Sequence, residues 1–428
     1  MELRELAISP AFAILLILVG LIVGHEFISS METYAELSGA KGGGDMLARG
    51  MNPLDGILVP TFGAYDIAAT LLLPFVVIRL FSNERTTGAW TLLVQSRASV
   101  AAIVANKVFV LCIAWLIALL PGFAAIALWK SYGGHVYLPE LWSLVLGHLV
   151  RAAITISLAA AAASVTRQAA SAAIITLGVT IGSWALDFTA ATHGGVWAKL
   201  AAFTPAGALR PYEQGLVSVT SIVVMTAVCA TGLLLAIAWL SPASGPRTRI
   251  SYLTRALVVV ACYSTLAVTI HTSWDATEDR RHSFSESDEA LLRSLPGTLS
   301  IEVHLAADDP RLMDFRGEIL DRLEREVRHT LISFAGSSGT DLLRSADPHY
   351  GEIWYGIGGK RVMLKSAIEP VVLQTIYDLA GIKAAPAAES ENYPGYPLKS
   401  DAPPLAWVAF FVVWPVMVLT ALYAARKR

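Results

Sequence analysis

Two ionisable side chains stand inside long apolar runs, where charge is costly. Asp66 lies about six residues and Arg151 about eleven from the same end of their runs, roughly 9 and 16 Å deep at 1.5 Å per residue. A charge at the centre of a helix in hydrocarbon costs about 2.5–3.5 kcal/mol on insertion scales unless it is paired or hydrated. If the two runs are neighbours, Asp66 and Arg151 can pair on the bundle interior, locking two helices or lining a path. The plainer reading is a structural pair, or two side chains that reach towards the interface. Asp187, nearer the end of its run, reads as a hydrated terminus.

Other chemistry is weakly encoded. His25-Glu26 opens like a zinc-protease helix, but Ser29 stands where the second histidine is needed. Gly356-Ile-Gly-Gly-Lys360 reads as a hairpin turn rather than a strand-to-helix phosphate loop. No Ser/His/Asp set is close in sequence. Cys112, Cys229 and Cys262 sit in apolar runs as small hydrophobes, without disulfide or metal spacing. His304, His329 and His349 are scattered and read as surface or ordinary core residues. The expectation is a chain with no catalytic residues and no metal of its own.

The elements that position these residues are mostly membrane spans. Of 428 residues, 55% are hydrophobic and 15% charged, and mean hydropathy is +0.56. With a net charge of -2 and no basic run with interleaved aromatics, nucleic-acid binding is set aside. Spans are expected at 10–27, 60–81, 108–129, 140–163, 170–190, 216–240, 256–273 and 405–425. Glu2 and Glu5 spoil the basic start of a cleaved signal, so the first span is expected to stay as an anchor. The stretch 29–59, with Gly42, Gly43, Gly44, Asn52 and Pro53, reads as an irregular outer loop. Ala152 to Ala173 is dense in small residues, which suits close packing of spans against each other or a second protomer.

The fold expected is an α-helical polytopic membrane protein with about eight spans and an inserted extracytoplasmic α/β domain. Its parts are a six-span unit over 1–245, a linker and seventh span over 246–273, the α/β domain over 274–383, a Pro-rich tether over 384–404, and the eighth span with a basic tail over 405–428. Arg4, the cations at 79–107, Arg167, the trio Arg247, Arg249 and Arg255, and the terminal Arg426-Lys427-Arg428 fall on one side, placing both termini in the cytoplasm. In the outer segment Ser285 and Asp288 form a capping box, and Leu299, Ile301, Val303 and Leu305 alternate as a strand. Leu312, Phe315, Ile319, Leu323 and Val327 trace a helix face, Gly358-Gly359 turns a hairpin, and a helix over 369–380 stops at Gly381.

Between the second and third spans lies the sizeable polar stretch Ser82 to Lys107. Trp90, Leu93 and Val94 fall on one helical face, so a short helix is expected in the interface, open to a partner. Glu84, Arg85, Gly88, Trp90, Leu92, Leu93 and Ser96 belong to this stretch, and Lys107 is read as opening the next span. Glu84, Gly88, Leu92, Leu93 and Ser96, with Lys107 a helix length later, resemble the cytoplasmic signature of type-2 ABC exporter permeases, the gliding-motility-associated permeases above all. Asp279-Arg-Arg-His-Ser-Phe-Ser, Leu291-Leu292, Leu295-Pro296 and Tyr355-Gly-Ile-Gly-Gly-Lys resemble the gliding-motility auxiliary extracytoplasmic domain, here shortened and fused behind the permease.

The resemblance implies a permease subunit in a bacterial cytoplasmic membrane, coupled through the 82–107 segment to a separate cytosolic ATPase that binds ATP and Mg. It also implies export, a second permease protomer, homo- or heterodimeric, and an envelope partner or substrate for the outer domain. Two alternatives stand beside it: a mechanotransmission or envelope-scaffold subunit without transport, and a membrane-embedded enzyme.

Overall fold

A computed structural model describes residues 2–38, 51–95, 99–193, 197, 200–201, 204–241, 245–269, 273–306, 309–334, 348–383, 393–398 and 404–427. The chain divides into two units. One comprises Met1–Ala185, Phe203–Ile270 and Pro394–Arg428; the other comprises Leu186–Ala202 and His271–Tyr393.

The first unit is helical: α1 (Glu2–Ala7), α2 (Pro10–Leu37), α3 (Val59–Leu71), α4 (Leu73–Thr86), α5 (Ala89–Gln95), α6 (Val100–Ala118), α7 (Leu120–Ser131), α8 (Leu138–Val165), α9 (Ala169–His193, in this unit as far as Ala185), α10 (Pro205–Glu213), α11 (Val219–Leu240) and α12 (Pro246–Thr269). Among the described residues, seven helical stretches are long and apolar enough to cross a membrane: Pro10–Leu37, Leu54–Thr86, Val100–Ser131, Leu138–Val165, Ala169–Ala190, Val219–Leu240 and Pro404–Lys427. They make the chain a polytopic helical membrane protein.

Two sequence expectations change. The span expected over 256–273 falls in α12, whose first ten residues hold Arg247, Arg249 and Arg255, while 270–272 lie outside the described residues. Arg249 and Arg255 are thus helical rather than linker residues, and their guanidinium carbons stand 5.6 and 5.2 Å from the rings of Trp239 and Tyr252. The expected loop 29–59 is largely helical where described, because Met31, Tyr34 and Ala35 are buried and draw α2 on to Leu37. A π-turn, Leu54–Leu58, then opens the second span, with Asn52 Oδ1 accepting from Leu54 N–H at 2.7 Å. Gly42, Gly43 and Gly44 lie outside the described residues.

The expected tether is described only over 393–398, where it is docked rather than loose. Tyr34 donates to the Tyr396 carbonyl at 2.8 Å, Leu398 N–H reaches Ser38 at 3.0 Å, and the Tyr396 ring stacks on His135 at 3.6 Å.

Prolines break two spans. Pro74 cannot donate to the Thr70 carbonyl four residues earlier, so α3 and α4 part at Leu72. The Thr180 hydroxyl donates to that carbonyl at 3.4 Å. Pro121 does the same between α6 and α7, and there Tyr65 fills the break: its hydroxyl accepts from Gly122 N–H at 2.7 Å and donates to the Leu119 carbonyl at 3.1 Å.

The last span begins as α17 (Pro404–Val408) and continues through a π-turn into α18 (Trp414–Lys427). It seats on α2 over Gly20 and Gly24, four residues apart, which let the two backbones approach. A Cβ at Gly20 would meet Trp414 at 2.1 Å, and one at Gly24 would meet Phe410 at 2.3 Å. The Trp414 indole donates to the Leu16 carbonyl at 2.7 Å.

The second unit is a two-layer α/β fold. Strands β1 (Leu299–Val303), β2 (Thr330–Phe334), β3 (Ile353–Ile357) and β4 (Lys360–Leu364) form one sheet in the order β2-β1-β3-β4. β2 runs parallel to β1, and the other pairs are antiparallel, with Ile301 opposite Tyr355 and Ile357 opposite Lys360. Gly358 and Gly359, at φ +57° and +85°, supply the hairpin turn that only such residues adopt freely. Leu299, Ile301 and Val303 point into a core shared with Leu292 of α13 (Glu286–Arg293), Phe315 of α14 (Pro310–Phe315), Leu323 of α15 (Asp321–Glu326) and Ile376 of α16 (Glu369–Ala380). Ser285 caps α13 through Asp288 N–H at 3.2 Å. The strand β2 was not anticipated; its β-branched and aromatic alternation, Thr330, Ile332 and Phe334, was the available signal.

Two predictions follow from this packing. Gly24→Leu should displace the last span and cost about 1–3 kcal/mol by overpacking, lowering the thermal midpoint of the purified chain. Gly63→Leu, where a Cβ meets nothing within 4 Å, should leave it unchanged. In the second unit, Arg311 and the Tyr350 hydroxyl bond Asp309 at 2.7 Å each and hold its carboxyl below the usual carboxylate range. A depressed folded-state pKa stabilises above the unfolded value near 3.9, and that stability is lost as pH falls through and below it. Acid unfolding monitored from pH 6 downward should therefore be steeper in wild type than in Asp309→Asn.

Candidate functional site

The polar stretch after the second span is built from its ends inward. α4 ends at Thr86, Thr87 N–H closing on Asn83 at 3.0 Å, and Gly88 at φ +79° turns the chain into α5. On α5, Trp90 packs against the core of the first unit, Leu93 and Val94 are half-buried, and Leu92 is 71% exposed. The expected amphipathic helix is therefore present, with Leu92 on its open side. Ser96 lies outside the described residues. Ser99 accepts from Ala102 N–H at 3.2 Å and starts α6.

That cap moves the helix start, and Lys107 does not open the span as expected. It lies seven residues into α6, roughly 10 Å along the axis, and is 1% exposed. Its ammonium is fully engaged: Glu84 Oε1 at 2.7 Å, both Glu2 carboxylate oxygens at 3.0 and 3.1 Å, and the Leu80 carbonyl at 3.2 Å. The next residue, Arg85, turns the other way. Its Nη1 donates to the Ala163, Ser164 and Thr166 carbonyls at 2.7, 3.0 and 2.9 Å, the open C-terminal end of α8. Neighbouring charges on α4 thus fasten its end to α1 and α6 on one side and α8 on the other.

Inside the bundle the structure brings Asp66 and Arg151 together. Arg151 Nε donates to Asp66 Oδ1 at 2.6 Å and Nη2 to Thr70 at 2.7 Å, while the Trp184 indole donates to Asp66 Oδ2 at 2.7 Å. Arg151 is 1% exposed and Asp66 is partly covered. α3, α8 and α9 meet at this pair. Sequence reading missed Glu2, Tyr65, His148 and Trp184. His148 stands three residues before Arg151 on the same helical face, which was a usable signal, whereas nothing local to Glu2 pointed to Lys107.

Asp187 lies on α9, and His25 and Glu26 lie within α2. Among the described residues no group of three or more His, Cys, Asp or Glu could hold a metal ion, and Cys112, Cys229 and Cys262 are free thiols. Set beside family models, curated proteins and solved structures, the chain matches none of them.

Removing one partner of a buried pair strands the other charge, which costs about 3–5 kcal/mol. Arg151→Met and Asp66→Asn should each lower the thermal midpoint of the purified chain. The double variant should lose less than the sum of the two, and the coupling energy of that cycle measures the pair.

Proposed function

We infer that this chain is the permease subunit of an ATP-driven exporter of the type-2 ABC class, working with two separate cytosolic ATPases and a second permease, identical or related. One observation carries the reading: a short helix with an exposed apolar residue, Leu92, is joined to a helix end fastened to three others by Lys107, Glu84, Glu2 and Arg85. A push on α5 enters the bundle through α4 rather than dissipating in a slack loop. In this reading Glu84, Arg85, Gly88, Trp90, Leu92, Leu93, Ser96 and Lys107 form the coupling segment. ATP and Mg are bound by the partner, and this chain itself is not an enzyme.

The same reading places the chain in a bacterial cytoplasmic membrane with both termini inside. The second unit then stands outside, where it meets substrate or an envelope partner, as in the gliding-motility systems that the sequence resembles.

The deciding experiment is purification of the tagged full chain from its native membranes in mild detergent, with partners identified by mass spectrometry and ATP turnover assayed on the eluate. A nucleotide-binding subunit should co-purify with wild type. Glu84→Lys and Trp90→Ala should weaken its retention and the associated turnover. A chain that is stable alone, with no nucleotide-binding partner, would sink the transporter reading and favour a role centred on the second unit.

A further inference from the structure

The polar groups around the Asp66–Arg151 pair are not all bonded. Arg151 carries five N–H donors; Nε and Nη2 reach Asp66 and Thr70, and Nη1 meets no acceptor among the described residues. One turn earlier on α8, His148 is completely buried, its ring 5.7 Å from that of Phe62 and 5.9 Å from that of Tyr65. Neither His148 nitrogen has a hydrogen-bond partner among the described residues. Thr61, also completely buried and one turn before Tyr65 on α3, leaves its hydroxyl unmet. Trp115 on α6, its ring 6.1 Å from that of Tyr65, leaves its indole N–H unmet.

These four residues come from three helices: Trp115 and His148 flank the ring of Tyr65, Thr61 lies one turn before Tyr65 on α3, and Arg151 lies one turn after His148 on α8. Buried hydroxyls elsewhere on α8 find a backbone carbonyl, as Thr155 does at Arg151 O at 3.1 Å, Ser157 at Ile154 O at 2.8 Å and Ser143 at Tyr212 O at 3.1 Å. Unmet polar groups are expensive in hydrocarbon, and a cluster of them marks a place where something else supplies the bonds.

We propose that Thr61, His148, Trp115 and Nη1 of Arg151 form an internal water-binding site at the centre of the bundle. The donor set selects the occupant. Arg151 and Trp115 only donate, Thr61 and neutral His148 donate and accept, and a water molecule meets such a mixture with about three bonds. Asp66 already neutralises Arg151, so the site has no net charge to draw an ion. The site goes beyond the transport reading and stands whether or not an ATPase binds the chain.

X-ray radiolytic labelling of the intact chain in detergent tests it, because hydroxyl radicals born from bound water oxidise only the side chains beside it. After normalisation to intrinsic reactivity, Tyr65, Trp115 and His148 should be modified several-fold faster than Phe27, which is equally buried but surrounded by apolar groups. The pair of changes Thr61→Val and His148→Phe should bring Tyr65 down to the rate of Phe27, and Thr61→Val alone should lower it part of the way. Modification of Tyr65, Trp115 and His148 no faster than Phe27 in wild type would overturn the proposal. So would labelling of Tyr65 that is untouched by Thr61→Val in a chain that elutes as wild type does.

Discussion

A proline inside a membrane span releases a carbonyl that hydrocarbon cannot hydrate, and much of this bundle is arranged around two such releases. At Pro74 the freed oxygen belongs to Thr70, and Thr180 of α9 reaches it. At Pro121 the break is closed by Tyr65 of α3, which accepts from one side of the gap and donates to the other. Each repair requires a particular neighbour at a particular height, so the two prolines fix which helices touch. The residues next to these repairs, Asp66 beside Tyr65 and Thr70 beside the break, are those that receive Arg151. The intramembrane ion pair is therefore set in a layer that backbone satisfaction has already made polar.

The two buried cations follow one rule. Lys107 and Arg151 are each met by a carboxylate, and each spends a further donor on an oxygen of a neighbouring helix, the Leu80 carbonyl for Lys107 and the Thr70 hydroxyl for Arg151. Charge alone would not hold them there, because desolvation offsets most of the Coulomb attraction; the added hydrogen bonds make the geometry specific. Lys107 is point-like and gathers acceptors from α1 and α4, whereas the planar guanidinium of Arg151 spreads along α3.

Asp66 and Arg151 were legible in the sequence because a charge in an apolar run has few solutions, and their similar depths made pairing the simplest one. The α/β part was legible through period-two alternation in Leu299–Val303, the Gly358-Gly359 turn and the stop at Gly381. Lys107 was placed at the mouth of its span because hydropathy rises at Val108, yet the helix boundary is set by the Ser99 cap and lies seven residues earlier. Tyr65 and Trp184 were invisible for a different reason: their value comes from a break or a carboxylate on another helix, and no local pattern encodes that. The seat of the last span on Gly20 and Gly24 is likewise a relation between residues almost four hundred apart.

α4 joins the two charged layers. It runs unbroken from Leu73 to Thr86, about 20 Å, with Glu84 and Arg85 at one end and the Pro74 break at the other. A helix of that length moves as a rod, so a displacement imposed at α5 is delivered at Leu72, where backbone hydrogen bonding is interrupted and bending is cheapest. Immediately beyond that point stand Thr70 and Asp66, bonded to Arg151. A bend at Leu72 therefore acts first on the Thr70–Arg151 and Thr70–Thr180 contacts, and through them on α8 and α9. The helices that hold the intramembrane pair are in this way also within reach of a displacement of α5 carried along α4.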